Sequence, residues 1–157
     1  METFAHLRRA RAVLLSCYDR DDGRVLHRRV KLAVEPNGQG AVAPSGRGMV
    51  AVPRRMALLI DASPDVRVGS CNWRGRPDGS DQPAVATRLT AAEDVAAARR
   101  ALRRRFPLWG PAVSLWARAQ PNGLGVGRFG GIGWLGGVGW LAVEPADEPT
   151  PWASAGG

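Results

Sequence analysis

Turn-forming residues divide the chain into short apolar segments, and this spacing constrains the fold more than any other feature of the sequence. Each segment has the length and composition of a β-strand. The segments cover residues 12–18, 25–34, 49–52, 66–73, 84–89 and 138–143. The chain also holds 20 glycines and 12 prolines, which argues against a purely helical bundle. We therefore expect a mainly β fold with flanking helices, in which antiparallel strands close as a barrel or a sandwich.

Helices are predicted around these strands. They cover residues 2–11, 56–62, 91–106 and 108–120. The first has Phe4 and Leu7 spaced for one face. The third is the clearest, because Thr90 and Glu93 have the spacing of a capping box at its start and Pro107 stops it.

The length of 157 residues fits one domain. We assign residues 1–144 to this domain, with a Gly-rich loop over residues 122–139, and expect residues 145–157 to be a disordered tail. The N-terminal residues lack the apolar core of a signal peptide. The longest uncharged run, residues 129–143, has 15 residues, fewer than the ~20 that span a bilayer. We therefore expect a soluble cytoplasmic protein.

The chain is strongly basic, with 22 basic and 14 acidic side chains and a formal net charge of +8. Many arginines fall on the predicted helix over residues 91–106. One interpretation is a platform for nucleic acid, but no aromatic residues are interleaved there for base stacking. We favour a solvated face on an ordinary amphipathic helix.

The residues that carry catalysis in common enzyme classes are scarce. The cysteines are Cys17 and Cys71, and the histidines are His6 and His27. These do not form a disulfide framework or a zinc site, and the sequence has no HExxH, CxxC or GxSxG motif. Residues 125–130 and 131–136 each fit GxGxxG. We reject a dinucleotide site because the preceding strand, the following helix and the later acidic residue are all missing.

The Gly-rich segment contains a tandem near-repeat that includes Trp134 and Trp140. These tryptophans suit a flexible apolar lid or a peripheral contact with a membrane surface. We favour a loosely ordered, low-complexity loop.

Arg54 and Arg55 precede a predicted short helix. A helix N-terminus offers free backbone amides and the positive end of the helix dipole, so two adjacent arginines there suit a phosphate. Two solvated arginines at a turn are an equally good interpretation.

Several phrases of the sequence resemble one family. They are the hairpin of residues 14–25, Ser63-Pro64-Asp65-Val66-Arg67-Val68 and Cys71-Asn72-Trp73-Arg74-Gly75-Arg76-Pro77-Asp78-Gly79, followed by the basic helix. In this order they are similar to the pyridoxamine 5′-phosphate oxidase-like split β-barrel proteins, and above all to their deazaflavin (coenzyme F420)-dependent class. The resemblance covers about residues 4–120, and residues 71–79 are its most specific part.

The resemblance implies a six-stranded antiparallel split β-barrel that forms a homodimer, with a flavin-type cofactor in a groove between the subunits. The cofactor is F420, with FMN as the alternative, and its ring exchanges a hydride with a small-molecule substrate. By the same resemblance, Arg54 and Arg55 contact the cofactor phosphate and Val30 and Lys31 lie near the ring. Met56, directly after the arginines, is included in the cofactor-binding set.

The sequence also departs from the family pattern. Arg28-Arg29-Val30 stands where the family has a small residue, Pro and Val. Residues 56–61 lack the expected basic residues, and Asp61 is expected to repel a phosphate. One alternative follows from these departures: a catalytically silent relative that binds another ligand. A second alternative, from a different class, is a binder of nucleic acid or anionic membranes that uses the basic helix, through Arg99–Arg105, with Trp134 and Trp140.

Overall fold

The computed structural model describes residues 4–7, 10, 12–34, 47–72, 74–107 and 138–156. The predicted helix over residues 108–120, and Trp134 with most of the Gly-rich loop, lie outside these residues. Two α-helices and seven strands are described, together with 3-10 helices at Phe4–Leu7 and Pro151–Gly156. The strands are β1 (Val13–Asp19), β2 (Arg24–Val30), β3 (Leu32–Val34), β4 (Gly48–Pro53), β5 (Asp65–Cys71), β6 (Pro77–Arg88) and β7 (Val138–Pro145). The helices are α1 (Arg54–Ala62) and α2 (Ala92–Arg105).

All seven strands belong to one antiparallel sheet in the order β2-β1-β5-β6-β7-β4-β3. The two ends of this order, β2 and β3, are separated along the chain by Lys31 alone. The sheet must therefore curl until its ends meet, and β2 also contacts β4 there. The result is a mainly β fold in the form of a curled half-barrel.

The expected count of six strands differs from the seven observed. The difference arises in the predicted strand over residues 25–34, which is interrupted at Lys31. Before this residue the chain pairs with β1, and after it the chain pairs with β4. The chain on the two sides of Lys31 therefore pairs at opposite ends of the strand order, with β1 through β2 and with β4 through β3.

The main core fills the inside of the half-barrel. It takes alternate side chains from all seven strands, and α1 adds Met56, Ala57 and Ile60. The predicted pair Phe4 and Leu7 is confirmed, since both side chains are fully buried in this core. They lie on a four-residue 3-10 helix, and most other residues of the helix expected over residues 2–11 lie outside the described residues.

A second apolar layer lies on the outer face of the sheet, where α2 packs against β3, β4 and β7. Ala98 and Leu102 of the helix are buried there. They meet Ala33, Met49, Ala51 and Ala142 of the strands and the partly buried ring of Trp140. This packing confirms the amphipathic helix predicted from the sequence.

The capping box expected at the start of α2 does not form. The N-cap residue is Ala91, and no side chain caps the helix. Glu93 and Asp94 lie in the first turn instead, and their negative charges stabilise the helix by interacting with the positive end of its dipole.

Two segments are more ordered than we expected. β6 begins at Pro77, seven residues before the predicted strand, because its polar first half pairs with β5. The expected disordered tail contains the second 3-10 helix, whose Trp152 indole N–H donates to the carbonyl oxygen of Asp65 at 2.9 Å. The Trp152 ring also stacks on Tyr18, with centroids 6.2 Å apart. These contacts hold the tail against the sheet.

Candidate functional site

The five residues expected at a cofactor belong to two parts of the chain. Val30 ends β2 and Lys31 precedes β3, at the point where the two ends of the sheet meet. β3 pairs with β4, and β4 leads at Pro53 into α1, which begins with Arg54, Arg55 and Met56. We call the junction of β2, β3 and β4 with the start of α1 the sheet-closure corner.

The five residues differ in what they offer to a ligand. Val30 and Met56 are only 5% and 6% exposed and pack in the main core. Arg54 and Arg55 are exposed in the first turn of α1. Only the three basic side chains are therefore accessible for polar contact with a ligand, and of these Lys31 is half-buried. The two apolar residues contribute through packing in the core.

The start of α1 is chemically suited to an anion. Its N-cap is Pro53, no side chain caps the helix, and the first turn contains no acidic residue. The first backbone N–H groups of a helix have no partner within the helix, and its dipole is positive at this end. Arg54 and Arg55 add two guanidinium groups at the same place, and neither forms an ion pair with another residue that the structure describes.

Asp61, which was expected to repel a phosphate, lies at the opposite end of α1 from the arginines. It is in the last turn, roughly 10 Å along the helix axis from Arg54 at 1.5 Å per residue. Its carboxylate also accepts a hydrogen bond from Arg88, at 2.9 Å from the guanidinium Nη1. This distance and this pairing both weaken the field of Asp61 at the start of the helix.

Lys31 is held by an aromatic ring from the end of α2. Its Nζ lies 4.9 Å from the ring centroid of Phe106, and Cζ of Arg105 lies 5.4 Å from the same centroid. Both distances are within the range of cation–π contacts. The C-terminal end of α2 thus brings a second basic side chain to the sheet-closure corner.

The turn between β5 and β6 also lies beside this corner. Asn72 Oδ1 accepts the backbone N–H groups of Arg74 and Arg76, which fixes the turn. Gly75 has a φ of +76°, and a Cβ built there would lie 3.8 Å from the Cβ of Arg29. This turn belongs to the phrase of residues 71–79 that carried the family resemblance most specifically.

The thiol of Cys71, at the end of β5, lies near charged side chains that shift its pKa. Burial raises the pKa of its thiol, the positive charge of Arg29 lowers it, Asp78 raises it and Lys31 lowers it. Both basic residues are therefore close enough to Cys71 to act on it electrostatically. The sequence did not show that Cys71 lies near Arg29 and Lys31 or that Phe106 covers Lys31, since residues this far apart in the chain carry no local signal of their proximity.

A polar row crosses the outer face of β2, β1, β5 and β6. Ser16 Oγ lies 2.7 Å from Nδ1 of His27. Further along the row, both carboxylate oxygens of Asp81 accept hydrogen bonds from Arg67, at 2.7 and 2.8 Å. Asp81 thus orients the guanidinium rather than the imidazole, so the row lacks the Ser-His-Asp geometry of a hydrolase.

Among the residues that the structure describes, no group of three or more His, Cys, Asp or Glu side chains is placed to hold a metal ion. Within the same residues, no helix combines the length and hydropathy needed to cross a membrane. No protein-family model matches the chain, and no curated protein is significantly similar to it.

Proposed function

We propose that the protein is a homodimeric split-barrel oxidoreductase. In this proposal it binds F420, or alternatively FMN, at the sheet-closure corner and supports hydride transfer to or from a small organic molecule. One observation carries the proposal: Lys31 lies where the two ends of the sheet meet, and β4, which pairs with β3 there, leads into the exposed Arg54 and Arg55 of α1.

The phosphate of either cofactor fits the start of α1. Arg54 and Arg55 supply charge-assisted hydrogen bonds, and the backbone N–H groups of the first turn supply more. The paired and distant Asp61 leaves this environment positive. The net charge of +8 further favours the approach of an anionic cofactor.

The ring of the cofactor is assigned to the neighbouring Lys31. The Phe106 ring restrains the Lys31 ammonium, which is positioned to donate a hydrogen bond to an oxygen or nitrogen of the ligand. Val30 and Met56 act through packing, because they fix the backbone positions of Lys31 and Arg55. When bound, F420 or FMN supplies the hydride chemistry at its ring, and the protein binds and orients it.

The experiment is a fluorescence titration of the purified protein with F420 and, separately, with FMN. We expect one of them to bind, and we expect Arg54→Ala with Arg55→Ala to weaken binding at least tenfold, about 1.4 kcal/mol. The matched control replaces Arg20 and Arg24, two exposed arginines elsewhere in the chain, and should leave the affinity unchanged. Equal affinity of the Arg54/Arg55 variant and the control would remove the phosphate assignment.

A catalytically silent relative is the second candidate. It is favoured by the burial of Val30 and Met56, which leaves no exposed apolar side chain among the five expected residues to contact a ring. This candidate predicts a dimer in light scattering that purifies colourless and shows no spectral change with either cofactor. Failure of both titrations would select it over the oxidoreductase.

A further inference from the structure

The charges of α2 are segregated along its length. Glu93 and Asp94 lie in the first turn, and every charged residue after them is an arginine. Arg99, Arg100, Arg103, Arg104 and Arg105 are all exposed, and we call them the basic helix face. At 1.5 Å per residue this face extends roughly 9 Å along the helix, toward the sheet-closure corner.

The helix is held so that this face points to solvent. Ala98 and Leu102 are fully buried against the sheet, which prevents rotation of the helix about its axis. The apolar side of α2 is therefore already used within the protein and is not free to enter a lipid bilayer. This distinguishes α2 from an interfacial membrane helix, which inserts its apolar face between headgroups.

Most of the basic helix face lacks the acidic partners that Arg47, Arg67 and Arg88 have. The described salt bridges join Arg47 to Glu144, Arg67 to Asp81 and Arg88 to Asp61. The arginines at 99, 100, 103 and 104 form no salt bridge with any residue that the structure describes. Residues 99 and 103, like residues 100 and 104, are four positions apart, and like charges at this spacing destabilise a helix. A binding partner with negative charge would remove this repulsion.

The aromatic rings beside the face are already engaged. Arg99 lies over the Trp140 ring at 5.5 Å, and Lys31 and Arg105 both contact the Phe106 ring. Both rings are also partly buried, so neither presents an open platform on which a base can stack. The chemistry left on this surface is a row of guanidinium groups, which match phosphate oxygens in pairs.

We propose that the basic helix face binds the phosphate backbone of double-stranded nucleic acid without sequence preference. Phosphates follow one another about every 3.4 Å along each strand of a duplex, so a face roughly 9 Å long meets about three of them per strand. In this proposal the bases stay paired, because the guanidinium groups contact phosphate oxygens and the two described rings beside the face, Trp140 and Phe106, are already engaged. The site lies on α2, and its arginines at 99, 100, 103 and 104 are not among the residues assigned to the cofactor.

The experiment measures fluorescence anisotropy of a labelled duplex of about 20 base pairs and random sequence, at salt concentrations from about 50 to 200 mM. The test variant carries Arg→Gln at residues 99, 100, 103 and 104, since Gln preserves helix propensity. Circular dichroism confirms that it folds. The control variant carries Arg→Gln at Arg20, Arg24, Arg74 and Arg76, which removes the same charge from exposed residues elsewhere.

We expect the test variant to bind the duplex at least tenfold more weakly and the control to change much less. The slope of log affinity against log salt should become shallower by about 3.6 in the test variant, about 0.9 for each phosphate that is no longer neutralised. Equal weakening in the two variants would show an effect of net charge alone and overturn the proposal. Absence of duplex binding at the lowest salt would also overturn it, as would binding to phosphatidylserine-containing vesicles but not to the duplex.

Discussion

Gly139 of β7 determines how closely α1 packs against the sheet, and Gly139→Ala tests this directly. A Cβ at this position would overlap the Cβ of Ala57 in α1 and would lie 3.6 Å from Cγ2 of Val52. Packed carbon atoms lie about 3.5–4.0 Å apart, so the helix must move away from the sheet. Overpacking of this kind destabilises a protein by about 1–3 kcal/mol. For a chain of this length, about 2 kcal/mol corresponds to a decrease in Tm of about 4–8 °C.

The measurement is urea unfolding followed by far-UV circular dichroism, with a double-mutant cycle. Ala57→Gly alone should destabilise by about 1 kcal/mol, because glycine is unfavourable inside a helix. When combined with Gly139→Ala it removes the overlapping methyl group, so the double variant should be at least about 1 kcal/mol more stable than the sum of the single effects implies. The control, Val138→Ala at the neighbouring exposed residue, should change stability by no more than about 0.5 kcal/mol. Additive effects in the cycle would refute the close contact between Gly139 and Ala57.

Three further predictions concern stability and reactivity. The hydrogen bond from Arg67 holds the pKa of Asp81 below its usual value. The stabilisation by this pair is therefore present above the pKa of an unfolded Asp and disappears as the pH falls through the folded value. Both side chains are partly exposed, so Asp81→Asn should destabilise the protein by at most about 1 kcal/mol at pH 7. The difference in the free energy of unfolding between variant and wild type should shrink toward about pH 3. A difference that widens at low pH would contradict this sign. Trp152→Phe keeps the stacking on Tyr18 but removes the indole N–H, so it should destabilise the protein by about 1 kcal/mol in the same unfolding assay. Trp152→Ala removes the ring as well and should destabilise it by about 2 kcal/mol. Equal effects of the two variants would show that the ring contact contributes nothing to stability. Burial, with a smaller contribution from Asp19, raises the pKa of the Cys17 thiol to about 11, so iodoacetamide at about pH 8 should leave this residue unmodified until urea unfolds the protein, as peptide mass spectrometry will show.

The sequence predicted helices and strands well where their formation depends on residues that are neighbours in the chain. Short apolar segments bounded by turn residues located the strands, and α1 ends at Ala62, before Pro64, as expected. The prediction was poorer where pairing overrides local preference. The first half of β6 is polar and contains Gly79, and it precedes the strand predicted over residues 84–89, yet its pairing with β5 makes it a strand.

The candidate site shows the same difference between features set by neighbouring residues and contacts between distant ones. Arg54 and Arg55 were identified from their position before a helix, which is a local pattern. The sequence could not show that Asp61 pairs with Arg88, because the two lie 27 residues apart. It also could not show that Phe106 covers Lys31, since that contact depends on how α2 docks on the sheet.

By itself, then, the sequence determined the type and order of the elements, because hydrophobic period, proline and glycine act over a few residues. Tertiary structure alone decided that the chain changes sheet partner at Lys31. It also decided that the two ends of the sheet meet there and that Phe106, at the end of α2, lies over Lys31. The physical reason is that strand pairing and helix docking depend on contacts between distant segments, whose register is fixed only when the apolar faces of all of them are buried together.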